Sequence, residues 1–291
     1  MNAASVTALQ PAKPHSAVPQ PSCAAPPLRK IVGFESTDYA TLDGRVVWAG
    51  DPAAADHPRN LWRPRQARAF CGDTRRLQRG AHTCLALLMA PSTTGLVGWL
   101  KSDGISDGMS DGGTDSFSDS FSDRGNDSVS EPARHEHTEP LPLWLQLGAT
   151  RFDAVRQALQ VNDLAAFEHA ALRVLGLGPG LTPSGDDFIG GIFFALHHAP
   201  RSQWRAALPA VRARFRTAAA DATNVISAAL LDDLMDGHSH QALHDLLGAL
   251  HTEDPARIEA ATTALLRIGA SSGADMLCGV LLALTSWQDT F

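Results

Sequence analysis

The residues best equipped for chemistry lie in one stretch, Gly176-Leu177-Gly178-Pro179-Gly180-Leu181-Thr182-Pro183-Ser184-Gly185-Asp186-Asp187. Its closely spaced glycines open backbone conformations that other residues avoid. Thr182-Pro183-Ser184 then leads into a helix, with Ser184 expected as N-cap and Asp187 at the third helical position. A helix start offers unpaired N–H groups and partial positive charge. A glycine-rich loop that delivers the chain to such a start is a general way of holding phosphate or carboxylate. The same pattern also suits an ordinary capped helix after a tight connection, so this stretch alone does not separate the two readings.

A second copy adds weight to the binding reading. Ser184-Gly-Asp-Asp-Phe-Ile-Gly-Gly-Ile-Phe-Phe-Ala-Leu196 aligns without gaps on Ser272-Gly-Ala-Asp-Met-Leu-Cys-Gly-Val-Leu-Leu-Ala-Leu284. Gly191 and Ala195 lie four apart on one helix, as do Gly279 and Ala283 on the other. Small residues at that spacing let two helices approach closely. If they pack, two anion-binding ends share one cleft, with Ser184 and Gly185 on one side and Ser272 and Gly273 on the other.

Acids beside an anion site need an account. Asp187 and Asp275 are expected to be taken up by backbone N–H groups of their own helices. Asp186, present only in the first copy, is left over. It can hold magnesium, accept hydrogen bonds from an amide NH2, act as a base, or simply face solvent. Further on, Thr223-Asn224-x-x-Ser227 begins another helix, and its two hydroxyls share one face. They can enter the same cleft or bond back to helix carbonyls.

Other constellations fall short. His240 and His244 stand at helical spacing beside His238, but Gln241 occupies the place where a zinc-protease helix carries Glu. No metal is therefore assigned there. No Gly-x-Ser-x-Gly elbow, Gly-Lys-Ser/Thr phosphate loop or Cys-x-x-Cys pair occurs. The scattered Cys23, Cys71, Cys84 and Cys278 suit free thiols in a reducing cytosol, although a Cys71–Cys84 bridge stays open.

The elements that would position these motifs follow from composition and periodicity. The chain has 291 residues, 44% of them hydrophobic, and a net charge of −7. Residues 102–131 hold eight acids at every fourth position against the single Arg124, and so carry that whole charge. The remainder is balanced, which argues against a nucleic-acid footprint. No apolar run approaches the ~20 residues of a membrane span, and residues 1–28 lack the apolar core of a signal peptide. A cytoplasmic location is expected.

An α+β fold is predicted. Residues 1–28 read as a disordered, Pro/Ala-rich tail. Residues 29–101 read as a small β-rich domain, with a hairpin across Asp43-Gly44 and strand-like runs at 84–89 and 95–100. Residues 102–140 are an acidic low-complexity insertion. Asp-rich glycine repeats can bind calcium, but neither the EF-hand spacing nor the nonapeptide repeat is present. Residues 141–291 read as a compact helical domain of about six to eight helices, with glycine-rich loops at helix N-termini. The helix expected over Gln203 to Ala220 is kinked or restarted at Pro209, and another is expected to begin at Pro255.

The stretch 176–187, then Thr223 and Ser227, then Gly269 and Ser272-Gly-x-Asp275 resembles a bacterial domain family that includes a subunit of oxamate carbamoyltransferase. The resemblance is good over 141–291 and slight over 30–100, and the acidic insertion is outside the family pattern. It implies a role in purine-derived nitrogen catabolism, where oxalurate and phosphate exchange with oxamate and carbamoyl phosphate. It also implies other, different subunits as partners. All four compounds are small anions, in keeping with the helix-start reading.

On this reading the catalytic candidates are Asp186, Asp187 and Thr182. The substrate-binding candidates are Gly178, Gly180, Ser184, Gly185, Thr223, Ser227, Ser272, Gly273 and Asp275. No cofactor is expected, with magnesium left possible. Two competing classes stay open: a magnesium-dependent hydrolase with Asp186, Asp187 and Asp275 as ligands, and a non-catalytic assembly subunit whose glycines serve packing only.

Overall fold

The Asp43-Gly44 pair turns the chain because both residues take positive φ, 51° and 74°, as a type I′ hairpin requires. In the computed structural model this turn joins β2 (Thr37–Leu42) to β3 (Arg45–Gly50), with Leu42 opposite Arg45. β1 (Arg29–Gly33) adds antiparallel on the far side of β2, giving the order β1-β2-β3. The structure describes residues 29–33, 37–50, 57–61, 72–88, 96–102 and 142–286. The expected tail at 1–28 and nearly all of the acidic insertion lie outside the described residues.

The runs expected as strands at 84–89 and 95–100 are a correction. Their described residues, 84–88 and 96–100, fall on α1 (Thr74–Leu88) and α2 (Leu96–Ser102). A short apolar run has no period of its own. Taken from Thr74, however, the buried positions Leu77, Ala81, Cys84, Leu85 and Leu88 follow a helical face. That face packs on the C-terminal helices and joins the same core as they do. Cys84 is a free, buried thiol.

The rest is helical as predicted: α3 (Leu143–Gln160), α4 (Leu164–Leu172), α5 (Ser184–His198), α6 (Leu208–Ala222), α7 (Val225–Met235), α8 (Gln241–Thr252), α9 (Pro255–Leu265) and α10 (Ser272–Thr285). Pro209 sits in the first turn of α6 and Pro255 opens α9 behind an Asp254 cap. Phe188, Ile192 and Phe193 of α5 and Leu277, Val280 and Leu281 of α10 are sealed in the core. These two central helices carry the duplicated motif, and among the described elements their packing against each other is the most extensive. Among the described residues no helix is long and apolar enough to cross a membrane.

The sheet docks on α7. Val46 and Trp48 cluster with Ile226 and Leu230, and Leu181 from the glycine-rich loop packs against them. Arg59 locks the contact: its guanidinium makes a two-pronged ion pair with Asp233 of α7 and donates to the Val46 carbonyl at 3.1 Å. Paired in this way, a charge can be buried at tolerable desolvation cost.

Candidate functional site

The close approach of α5 and α10 depends on a glycine in each. A Cβ on Gly191 would stand 2.2 Å from the Met276 carbonyl oxygen, and one on Gly279 would stand 2.0 Å from that of Phe188. The contact is therefore reciprocal: each helix presents a bare backbone to the other's carbonyl. The duplication extends outward to the loops before each helix. Gly185 N–H donates to the Leu177 carbonyl and Gly273 N–H to the Ile268 carbonyl. The units α4–loop–α5 and α9–loop–α10 are thus repeats about the α5–α10 seam. The first loop is the longer of the two, by the segment around Gly180 and Thr182.

That seam brings the two helix starts together. The Thr182 and Ser272 hydroxyl oxygens are 2.8 Å apart. Asp187 of α5 is hydrogen-bonded by Ser272 of the opposite start and by Thr182. Asp275 of α10 is hydrogen-bonded by Ser184 of the opposite start and by Ser271. Each acid therefore crosses to the other helix rather than capping its own. This corrects the expected capping. The N-caps are Pro183 and Ser271, neither with a side-chain cap bond, and Ser184 and Ser272 are the first helical residues. The serine hydroxyls serve the seam.

Both acids are dry. Asp187 and Asp275 are 4% and 2% exposed, and one oxygen of each, Oδ2, meets no hydrogen-bond partner. Burial pushes the Asp275 carboxyl up to about 6, against the pull of its two serine hydroxyls. Burial also holds Asp187 well above the ordinary carboxylate range, and the nearby charges of Asp275 and Asp186 add to the rise. Like charges gathered in a low dielectric favour the neutral form.

Asp186 has a different setting. Its Oδ1 accepts from the Gly176 N–H at 2.7 Å, and its Oδ2 accepts from the hydroxyls of Thr223 at 2.5 Å and Ser227 at 2.6 Å. Thr223 and Ser227 do converge on one point, and that point is the Asp186 carboxylate. It ties the loop to the start of α7, where Asn224 caps the Ile226 and Ser227 N–H groups and donates to the Leu181 carbonyl. In the second copy Ala274 stands in its place.

The loop itself carries positive φ at Gly176, Gly178 and Gly180, 72°, 112° and 98°. Gly178 packs on Ser184, while Gly180 is exposed. Among the described residues no acceptor meets the backbone N–H of Gly178, Gly180 or Thr182. Gly185 and Gly273 lie under their loops, where a Cβ would strike the carbonyls of Val174 and Leu265 at 2.0 and 1.9 Å.

Two features of the neighbourhood were not read from the sequence. Ser271 joins the Asp275 contacts. Tyr39 on β2, the chain's single tyrosine, has its phenol pushed up by burial and by the charge of Asp187. The sheet therefore borders the helix starts. An isolated tyrosine in a strand gives no signal of a partner so far along the chain.

The histidines form a separate group. His57 stacks on Trp48 and His240, and His244 lies against Phe194 and His198. Burial drives His198, His240 and His244 down to about 4. Among the described residues no group of three or more His, Cys, Asp or Glu side chains is placed to hold a metal ion.

Fold and site together define a helical body built on two mutually docked Ser-Gly-x-Asp helix starts, with a small antiparallel sheet beside them. Residues 174–284 match the family described as oxamate carbamoyltransferase subunit AllH. The family resemblance seen in the sequence thus holds over a segment, less than half of the chain, that contains both starts. No solved structure matches the chain.

Proposed function

We propose that the chain works as a subunit of an oxamate carbamoyltransferase, and that the paired helix starts bind its small anionic substrates. The observation that carries this reading is the coincidence of the family match with the seam: the matched segment, 174–284, takes in the first loop and all but the last residue of α10, and contains both Ser-Gly-x-Asp starts.

The chemistry is compatible. Carbamoyl transfer between oxalurate and phosphate develops negative charge on a tetrahedral centre and on the departing group. Fixed N–H donors stabilise such charge without reorganising during the reaction. The Gly178–Gly180 turn and the Thr182 N–H supply donors of this kind. Catalysis is shared with other subunits in this proposal, and the chain acts in purine-derived nitrogen catabolism in the cytoplasm. Asp186 serves by holding the loop in shape, and Asp187 is the acid nearest the reacting groups.

The test is reconstitution. Phosphate-dependent breakdown of oxalurate is measured with the partner subunits in the presence and absence of this chain. Activity that requires the chain supports the proposal; full activity without it refutes it.

A further inference from the structure

The free oxygens of Asp187 and Asp275 call for an explanation. Buried polar atoms in folded proteins are almost always paired, and an unpaired one marks a missing partner. At the seam there are two, one from each helix start, in carboxyl groups whose other contacts are hydroxyls, one from the opposite start and one from the chain just before the acid's own helix. Solvation does not satisfy them, since both side chains are more than nine-tenths buried.

An anion alone does not suit this place. Two acids would repel it, while the donors for an anion lie further out, on the Gly178–Thr182 turn. The junction is therefore polarised: N–H donors on the more exposed Gly178–Thr182 turn, unpaired carboxyl oxygens in the buried part. Its complement is a small molecule with a carboxylate at one end and N–H groups at the other.

We propose that the unpaired oxygens of Asp187 and Asp275 recognise the primary amide or ureido end of a small acid whose carboxylate rests on the Gly178–Thr182 turn. This rests on the anion-site reading above and adds the orientation of the ligand and the group that selects it. The ligand approaches from the side of Thr182 and Ser272, which are only half-buried. As acceptors, the two oxygens match the N–H groups of a primary amide. Asp186 has no part in this contact, because its carboxylate is taken by Gly176, Thr223 and Ser227.

Oxamate and oxalate are nearly isosteric and differ in an amide against a second carboxylate, so they read this contact directly. Binding of each is measured by calorimetry on the full chain and on the reconstituted enzyme, for the native protein and for Asp187→Asn and Asp275→Asn. Circular dichroism and thermal melting identify variants that do not fold, and Ser272→Ala, which leaves both acids in place, is the second probe of the junction. The native protein is expected to prefer oxamate by about tenfold or more, the loss expected when a hydrogen-bonded group is exchanged for one that cannot pair. The Asn variants, which add an N–H donor where an acceptor stood, are expected to lose or invert that preference. Ser272→Ala is expected to weaken both ligands and keep the order. Equal binding of the two by the native protein, or an unchanged preference in the Asn variants, overturns the inference and leaves the anion-site reading standing. No binding of either ligand overturns both.

Discussion

Asp187 at the start of α5 is bonded by the hydroxyl of Ser272 at the start of α10, and Asp275 and Ser184 return the exchange. Neither start has a side-chain cap; the residues that would ordinarily cap it bond across the seam instead. Loss of either acid should therefore be felt at both starts.

The seam tolerates no added carbon. Gly191→Ala and Gly279→Ala each drive a Cβ into a backbone carbonyl and should cost about 1–3 kcal/mol. Gly248, on the exposed face of α8 with open space around it, is the control. Gly248→Ala should be neutral or stabilise by up to about 1 kcal/mol. Urea midpoints measure all three. Seam variants as stable as the native protein would mean that α5 and α10 are further apart than described.

The buried acids predict a pH dependence with a definite sign. The folded-state Asp275 carboxyl titrates near 6 rather than at the ordinary 3.8, so folding favours its neutral form. The stabilisation is present in full below about pH 4 and is lost as pH rises through about 6. Asp187, Asp186 and Tyr39 face the same region, and Asp187 shifts in the same direction. Relative to Asp275→Asn, the native protein should lose up to about 3 kcal/mol between pH 4 and pH 7. Parallel stability profiles for the two proteins would contradict the burial of this carboxyl.

Asp186 should behave as a structural tie. Asp186→Ala leaves the Gly176 N–H and the Thr223 and Ser227 hydroxyls without their acceptor, at a cost of about 2–4 kcal/mol. Thr223→Val and Ser227→Ala should each cost less. Additive costs in the Asp186, Thr223 and Ser227 combinations would show that the three do not form one network.

Arg59 should hold the sheet to the helical body. Arg59 and Asp233 are 9% and 12% exposed, and removal of one partner strands a buried charge. Arg59→Ala should cost about 3–5 kcal/mol. It should also speed hydrogen exchange at the Trp48 N–H, which donates to the Arg59 carbonyl. Unchanged exchange at Trp48 would place the sheet's anchor elsewhere.

What the sequence disclosed follows the range of the interactions. The Asp43-Gly44 turn, the Pro255 helix start and the duplicated Ser-Gly-x-Asp motif are local, and each was legible. The pairing of α5 with α10 was legible from the small residues they share. The α1 and α2 helices were read as strands because a short apolar run has no period until its flanks are counted. The role of Asp186 was hidden, since its partners lie 10, 37 and 41 residues away. The same holds for the crossed acids: Ser-x-x-Asp reads as a cap, and nothing local shows that its hydroxyl and carboxylate each serve the other helix. Arg59 and Asp233 are 174 residues apart and left no trace in the pattern.

The central claim is that the turn at Gly180, above the paired helix starts, holds the substrate. Gly180 has φ of 98°, and a Cβ there would meet only the Thr182 carbonyl oxygen at 3.9 Å, so Gly180→Val disturbs the loop backbone without a clash in the core. The direct measurement is phosphate-dependent breakdown of oxalurate by the reconstituted enzyme carrying this variant, with circular dichroism as the folding control. The variant is expected to fold, with activity reduced by about a hundredfold or more, as for loss of positioned oxyanion donors. Near-native activity in a folded Gly180→Val enzyme would contradict it, and would place the substrate on another subunit.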